Sequence, residues 1–376
     1  MVEICKKELC TGCAACINKC PKSCINMSLG KLGHLYPHID KNLCIDCGAC
    51  RRVCPVNYPL ELLSPQVAYA GWSKDVVEYQ TSTSGGFASA ISRKILSQGG
   101  VVYGCTCFED VDVQHVRIDE EADLYKLKGS KYVQSNVGLI YRSIKVDLKE
   151  GLKVLFIGTP CQVAALRNYI GQYENLYLID LICHGVPSLA YLKSHVRQVA
   201  KNAKISEVRF RDGNDMHLLL YSQGKIVYRK ALWEKRYKDT YFNTFIDGYT
   251  YRDSCYTCRY AQSKRVSDIT IGDFWGLKEN LSEEHKYGCS CILPITEKGK
   301  HMVEAVSENF YLFEREINEA VNGNSQLRHP SRKTERIRMF YKLYPLLGIS
   351  FSYRLMVIDK ILKYYLKYYI KKMLRK

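Results

Sequence analysis

Eight cysteines near the start of the chain repeat one spacing. Each set of four reads Cys-x2-Cys-x2-Cys-x3-Cys-Pro, and the second set follows the first at an offset of 34 residues. In this arrangement three closely spaced thiolates bind one 4Fe-4S cluster, and the fourth binds the neighbouring cluster. The spacing therefore assigns one cluster to Cys10, Cys13, Cys16 and Cys54, and a second to Cys44, Cys47, Cys50 and Cys20.

A pair of structural zinc sites is the alternative. Zinc sites pair two Cys-x2-Cys knuckles and do not use a third closely spaced ligand before a Cys-Pro ending. The iron–sulfur interpretation is therefore favoured. Residues 1–60 are expected to form a small α+β domain of the bacterial-ferredoxin type, with a short hairpin between Ile25 and Ile39. Cys5 and Cys24 fall outside the pattern and are expected to be buried or spare thiols.

Four more cysteines sit at informative places. Cys161 follows a predicted buried strand (152–158), and Cys183 follows the next one (176–182). The intervening helix makes these strands parallel, so their carboxyl ends are expected to be neighbours. Together with Cys255 and Cys258 they could bind a third cluster. Spacing alone leaves open the alternative of two buried cysteines and an unrelated Cys-x2-Cys pair.

Small hydroxyl residues and two glycines, Thr81 to Gly86, precede a predicted helix over 87–98. Free N–H groups and the helix dipole would favour a phosphate there. An ordinary N-capped helix explains the same residues.

Strands and helices alternate beyond a Pro-containing connector that ends at Pro65. Strands are predicted over 67–71, 101–103 and 113–118, and two antiparallel segments over 208–210 and 217–228, with a turn at Gly224-Lys225. The predicted fold is an α/β domain with a mixed sheet. The Cys105/Cys107 and Cys289/Cys291 pairs lie in strand-like stretches and are expected to be packed small residues.

The composition bounds the class of protein. The chain has 376 residues, 47% of them apolar, and 18 cysteines. With no secretory signal and no long uncharged apolar run, a cytoplasmic, anaerobic redox protein is expected rather than a disulfide-rich one. The net charge of +17 would suit nucleic acid, but each cluster with four thiolates carries about −2. No nucleic-acid recognition motif is present.

Residues 341–376 predict a basic, tyrosine-rich amphipathic helix. It could lie peripherally on the inner face of an anionic membrane, bind an acidic partner, or pack as an ordinary C-terminal helix. The basic stripe contains Lys363, Lys367, Lys371 and Arg375, and the opposite apolar face contains Leu362, Leu366, Ile370 and Met373.

Several strings between residues 67 and 300 resemble a known family. They are Thr83-Ser-Gly-Gly, Gly129-Ser-Lys-Tyr, Gly158-Thr-Pro-Cys-Gln, Cys183-His-Gly-Val-Pro, Cys255-x2-Cys258 and Asp268-Ile-Thr-Ile-Gly-Asp-Phe-Trp-Gly. In order and spacing they resemble the beta subunit of coenzyme F-420 hydrogenase/dehydrogenase, and they are similar to 7-hydroxymethyl chlorophyll a reductase.

The resemblance implies that residues 67–340 bind FAD and one 4Fe-4S cluster. It implies Cys161, Cys183, Cys255 and Cys258 as ligands of that cluster. Contacts with the FAD pyrophosphate fall to Ser84, Gly85 and Gly86, and the flavin would be lined by Ser130, Lys131 and Tyr132.

Two of these positions are candidate catalytic residues. Lys131 could stabilise a reduced flavin anion, or it could be a solvated loop lysine. His184 could transfer a proton or hydrogen-bond to sulfide, or it could be structural. Asp273 could orient a cluster-bearing loop or simply end a strand.

The expected function is a ferredoxin-linked, flavin-dependent oxidoreductase that passes electrons between the clusters and FAD. Its partners would be ferredoxin or another redox protein and an organic substrate or deazaflavin coenzyme. The fused N-terminal cluster domain weakens the case for coenzyme F-420 itself. The alternative is a non-catalytic electron-transfer subunit of a larger redox complex.

Overall fold

The computed structural model describes residues 3–201, 203–213, 215–232, 239–277, 281 and 285–373, with the backbone alone at 368, 369, 371 and 372. The strands are β1 Ile25–Leu29, β2 Leu35–Ile39, β3 Ala68–Ser73, β4 Val101–Phe108, β5 Asp112–Ile118, β6 Val154–Gly158, β7 Leu176–Leu181, β8 Glu207–Asp212, β9 Asp215–Ser222, β10 Lys225–Ala231, β11 Ile269–Asp273, β12 Ser290–Pro294 and β13 Phe310–Arg315.

Helices fill the segments between these strands and form the C-terminal end of the described chain. They are α1 Ala15–Lys19, α2 Ala49–Arg52, α3 Val76–Thr81, α4 Phe87–Ser97, α5 Ile140–Lys149, α6 Pro160–Ile170, α7 Leu189–Ala200, α8 Thr240–Ile246, α9 Glu297–Glu304, α10 Ile317–Gly323, α11 Glu335–Leu347, α12 Ile349–Met356 and α13 Ile358–Met373.

The N-terminal cysteine region contains one antiparallel hairpin. β1 and β2 pair in register from Ile25–Ile39 to Leu29–Leu35, which confirms the predicted hairpin. Short helices α1 and α2 each follow one of the cysteine loops. Each is preceded by a residue in the left-handed region, Ala14 at φ 63° and Gly48 at φ 68°. This backbone reversal turns the chain sharply from the loop into the helix.

A large mixed sheet organises the rest of the chain. Its strand order is β13-β3-β12-β11-β7-β6-β4-β5, with parallel pairing across β11, β7, β6 and β4 and antiparallel pairing elsewhere. Alternate residues of β6 face opposite sides, as the pleat requires. Phe156 packs in the core with α5 and α6, whereas Leu155 packs in the core with α4 and α9. The predicted mixed-sheet α/β fold is confirmed.

The antiparallel segments that follow form a separate sheet. β8, β9 and β10 pair as a three-stranded sheet of order β10-β9-β8, and the last turn is at Gln223-Gly224 rather than Gly224-Lys225. Alternating Leu218 and Leu220 of β9 are buried in a core shared with Leu192 of α7. The alternation located the strands, but it carries no information on which sheet they join.

Polar contacts hold the N-terminal region against the large sheet's helices. Arg142 of α5 donates from Nε to Asn18 O (2.9 Å) and from Nη2 to Cys20 O (3.2 Å). Asn168 of α6 donates to Tyr58 O at 2.8 Å. These carbonyls belong to the segments that carry the fourth cysteine of each set, so the packing fixes both cysteine loops on the larger fold.

The stretch 341–376, predicted as a single amphipathic helix, is divided among the end of α11, α12 and α13, and Leu362 and Leu366 of α13 are exposed. The side chain of Lys371 and all of Arg375 lie outside the described residues. Within the described part of the chain, no helix is long and apolar enough to span a bilayer.

Candidate cofactor sites

Two cavities in the N-terminal region are lined by the two predicted cysteine sets. The first cavity is lined by Cys10, Cys13, Cys16 and Cys54, and the second cavity by Cys44, Cys47, Cys50 and Cys20. Each set thus takes its fourth member from the other sequence repeat, as the ferredoxin-type spacing requires.

Each of these cavities also has a fifth thiol in its wall. Cys24 Sγ lies 3.4 Å from Cys20 Sγ in the second cavity. Cys5 lines the first cavity, where its hydrogen bond, with further help from the charge of Arg252, lowers the pKa of Cys10 to about 6. The two cysteines that the spacing left unassigned therefore lie beside proposed ligands.

The cysteines of the second cavity are more exposed than those of the first. The Cys47 side chain is exposed, whereas all four cysteines of the first set are buried. Solvent exposure is one of the factors that set cluster potentials, so the two sites differ electrostatically despite their repeated sequence.

A third cavity is lined by Cys161, Cys183, Cys255 and Cys258. Gly158 of β6 pairs with Asp180 of β7, so the segments after these parallel strands meet at one sheet edge, as predicted. Thr159 and Gln162 form a capping box at the start of α6. This cap fixes the first turn of α6, in which Cys161 lies.

Burial makes this third cavity costly for free thiolates. It raises the pKa of Cys183 to about 11 and of Cys255 to about 12, and it raises that of Cys161 well above its ordinary value. Four ionised thiols would therefore need a bound cation or metal cluster in compensation.

Arg265 gives a direct test of whether an anionic cluster fits the third cavity. Its side chain lines the cavity and is 1% exposed, and its Nε and Nη2 atoms have no hydrogen-bond partner among the described residues. Its Nη1 donates to Tyr260 O at 2.7 Å. Among the described residues no carboxylate forms an ion pair with it, although the buried Asp180 acts on it electrostatically. Since two buried donors of a cation are left without an acceptor, the residues present fit a negatively charged group.

No group of three or more His, Cys, Asp or Glu side chains among the described residues converges on a single-ion position. The cysteines instead lie around the walls of cavities, an arrangement in which a polynuclear cluster can be bound at its corners.

The predicted phosphate turn lies between α3 and α4. Among the described residues, the buried Oγ of Ser84 (φ 59°) has no hydrogen-bond partner, and Gly86 (φ +82°) precedes the first turn of α4. Gly85 packs against β3, since a Cβ there would lie 2.0 Å from Gly71 O, and its N–H donates to Ser290 Oγ at 2.9 Å. The orphaned Ser84 hydroxyl is consistent with a polar ligand at this turn, whereas the N–H of Gly85 is already engaged.

The second predicted flavin segment lies beside this turn. The Ser130 N–H donates to Thr83 Oγ1 at 3.2 Å, and Lys128 Nζ donates to Thr81 Oγ1 at 2.9 Å. The structure thus brings together the two segments that the family resemblance singled out, although they are nearly fifty residues apart in sequence.

Glu78 anchors both segments. This buried carboxylate accepts from Lys128 Nζ and Arg93 Nη2, both at 2.9 Å, and from Ser82 Oγ at 2.7 Å. Burial opposes its ionisation, but the hydrogen bonds from Lys128, Ser82 and Arg93 prevail and lower the pKa of Glu78 to about 2.

Replacing Glu78 with Gln is expected to destabilise the fold by about 2–3 kcal/mol at pH 7, because two cations lose their buried anion. Glu78 contributes fully above its unfolded pKa of 4.5, and the contribution is lost as pH falls towards about 2. Urea denaturation should therefore show the difference from wild type shrinking below about pH 4.5. Glu121→Gln is the matched control, since this exposed partner of Arg93 should cost less than about 1 kcal/mol. Equal losses in both variants would contradict the assignment.

Lys131 is not a solvated loop lysine in this structure. Its Nζ donates to Leu127 O (3.1 Å) and Lys128 O (2.8 Å), and burial lowers its pKa. The amine lies within electrostatic reach of Cys105 and Cys107 on β4. In the second cysteine pair, Cys291 lies within β12 and Cys289 lies just before this strand, and both side chains are buried.

Tyr132 and Asp273 are joined by an arginine from the smaller sheet. Arg211 donates from Nε to Tyr132 Oη (2.8 Å) and from Nη2 to Asp273 Oδ2 (2.5 Å). His184 lines the third cavity nearby, where burial lowers its pKa against the opposing charge of Asp273. Asp273 therefore pairs across to the second sheet and does more than end β11.

Three functional candidates were not predicted from the sequence. Arg211 belongs to a charged face of β8 that looks like an ordinary exposed strand face. Arg252 and Arg265 lie on either side of the Cys255/Cys258 pair, and this clustering of basic residues about a Cys-x2-Cys knuckle was the available signal.

Comparisons with known proteins match two stretches of the chain. Residues 151–320 match the family described as the C-terminal part of the coenzyme F420 hydrogenase/dehydrogenase beta subunit, and residues 9–58 match the 4Fe-4S dicluster domain. No curated protein matches the chain. A solved structure of the xenon-derivatised F420-reducing NiFe hydrogenase complex from Methanosarcina barkeri contains a similar chain, with TM-score 0.46 and 17% identity over 70% of this chain and 91% of that one.

Proposed function

We propose that this chain is an iron–sulfur flavoprotein oxidoreductase. The premise is that residues 9–58 form a 4Fe-4S dicluster domain and residues 151–320 belong to the coenzyme F420 hydrogenase/dehydrogenase beta-subunit family. When bound, the clusters would carry single electrons and FAD would collect two of them for an organic acceptor. An organic substrate or a deazaflavin coenzyme would exchange electrons with the flavin, and ferredoxin or another redox protein with the clusters.

The main support is the shared wall of the first and third cavities. Thr11, which lies between Cys10 and Cys13, lines both of them. The proposed ligand sets are Cys10, Cys13, Cys16 and Cys54 for the first, Cys20, Cys44, Cys47 and Cys50 for the second, and Cys161, Cys183, Cys255 and Cys258 for the third. A shared wall is what short-range electron exchange between two sites would need.

The residues proposed for FAD lie at the turn before α4 and in the loop that follows Gly129. Ser84 has the unpartnered hydroxyl for a polar group of the cofactor, and Gly86 leaves the start of α4 open to a phosphate. Ser130 is tied to the same turn, while Tyr132 is oriented by Arg211. Gly85 would contribute by close backbone packing.

Lys131 and His184 are proposed to handle charge and protons. Lys131 Nζ donates to two backbone carbonyls, and these hydrogen bonds fix the position of its amine. His184 lies beside a proposed cluster ligand, and burial lowers its pKa, which favours the neutral ring. A proton moved with the flavin's electron pair could rest on this ring.

A non-catalytic electron-transfer subunit is the second candidate, because the matched family is named for a subunit of a larger enzyme. The exposed apolar face of α13 would then bind a partner protein. The same amphipathic helix would alternatively contact an anionic membrane.

Anaerobic reduction of the purified protein by methyl viologen radical distinguishes the two candidates. The oxidoreductase proposal expects bleaching of a bound flavin followed by its reoxidation by an added deazaflavin or quinone acceptor. Cluster bleaching without any flavin signal would contradict it and favour the electron-transfer subunit.

A further inference from the structure

Arg252 is a buried cation placed between two of the proposed cluster sites. Its side chain is 1% exposed, and among the described residues it forms no ion pair with a carboxylate. The thiol of Cys10 lies beside it, with Sγ 3.8 Å from Nη2. Because a buried guanidinium needs a negative partner, this position points to the thiolates and charge of a bound cluster.

The guanidinium is also fixed in direction. Nε donates to Cys10 O (2.7 Å), Nη1 donates to Gln134 Oε1 (3.1 Å), and Nη2 donates to Leu35 O. The Tyr36 ring lies 4.3 Å from Cζ. Gly12 leaves room for the group, since a Cβ there would lie 2.8 Å from Cζ.

The backbone of Arg252 connects this group to the third cavity. Its N–H donates to Val186 O (3.1 Å), and its carbonyl accepts from the Cys255 N–H (2.9 Å). One residue therefore contacts the Cys10 loop through its side chain and the loops of Cys183 and Cys255 through its backbone.

We propose that Arg252 is a positioning residue that makes the first cluster site the easier of the two N-terminal sites to reduce. Its contacts also fix the Cys10 loop of the first site next to the loops that line the third cavity. The proposal rests on the proposed function. A fixed positive charge favours the additional negative charge of a reduced cluster, and burial keeps that effect from being screened. No bond or proton changes: one electron, from a low-potential one-electron donor, rests at the first site.

The second site offers an internal comparison. Arg52 Nη2 donates to Cys47 O at 2.9 Å, but Arg52 is exposed, so solvent screens its charge. An electron delivered at the exposed Cys47 side should therefore prefer the first site, which shares Thr11 with the third cavity.

The test is an EPR-monitored redox titration of anaerobically purified full-length wild type, Arg252→Gln, Arg252→Lys and Arg52→Gln. In Arg252→Gln the equilibrium constant for reducing the first site should fall about tenfold, a shift of about 59 mV to more negative potential for one electron. Arg252→Lys should retain most of the potential, because it keeps the positive charge although lysine cannot make the forked contacts. Arg52→Gln should shift the second site much less.

A ligand variant in the wild-type Arg252 background provides a measurement that does not depend on the Arg252 variants assembling. Cys13→Ser should remove the higher-potential of the two N-terminal signals. Loss of the lower-potential signal in Cys13→Ser, or an unshifted potential of the first site in Arg252→Gln, would overturn the inference. Neither result would contradict the presence of the clusters. Absence of N-terminal cluster signals from wild type would instead overturn the proposed function.

Discussion

Replacing Cys161 with Ala is expected to remove about four irons per chain while leaving about eight in the N-terminal domain. Cys161 lies in the first turn of α6 and lines the third cavity, so alanine there removes one of the four proposed thiolate ligands. Flavin should remain bound but should no longer be reduced through the N-terminal clusters. Iron and sulfide analysis, with flavin bleaching by methyl viologen radical, measures both effects.

Cys107→Ala is the matched control for this variant. Cys107 is half-buried like Cys161 but lines none of the three cavities. It should retain the iron content and electron delivery of wild type. An unchanged iron content in Cys161→Ala would contradict the third-cluster assignment, whatever the control shows.

Replacing Arg265 with Gln is expected to have opposite effects on the two states of the third site. With the cluster bound, the variant loses a buried counter-charge, so iron should be lost faster to a chelator. In a Cys161→Ala background the same substitution removes an unpaired buried cation and should stabilise the chain. The coupling between the two substitutions should be about 1–3 kcal/mol.

Anaerobic urea denaturation of the four proteins of this double-mutant cycle measures the coupling. Asp180 acts electrostatically on Arg265, although the two form no ion pair within the described residues. If Arg265→Gln destabilises both backgrounds equally, the arginine stabilises Asp180 or the local packing. The assignment of an anionic cluster to the third cavity would then be wrong. Arg259→Gln, a nearby arginine that does not line the third cavity, should show no coupling.

The sequence predicted the parts of the fold that depend on local spacing. The Cys-x2-Cys-x2-Cys-x3-Cys repeat predicted that Cys54 joins Cys10 and that Cys20 joins Cys44, because a cubane needs ligands at fixed corners. The strand–helix–strand order likewise predicted that the segments after Gly158 and Asp180 meet. Both results follow from rules that operate within short stretches of chain.

The charge compensation around the cavities could not be predicted in the same way. Arg211 reaches Asp273 from a separate sheet, and Arg252 reaches Cys10 across 242 residues of sequence. Such contacts depend on how the β8–β10 sheet and the N-terminal region pack on the large sheet, which periodicity does not encode. The same holds for Glu78 and Lys128, whose ion pair joins the two candidate flavin segments.

The most direct test of the central claim is to count iron, sulfide and flavin per chain after anaerobic purification. An iron–sulfur flavoprotein with three filled cavities should give about twelve irons, about twelve sulfides and one FAD. About eight irons and no flavin would contradict the flavoenzyme and leave a dicluster domain joined to a non-catalytic one.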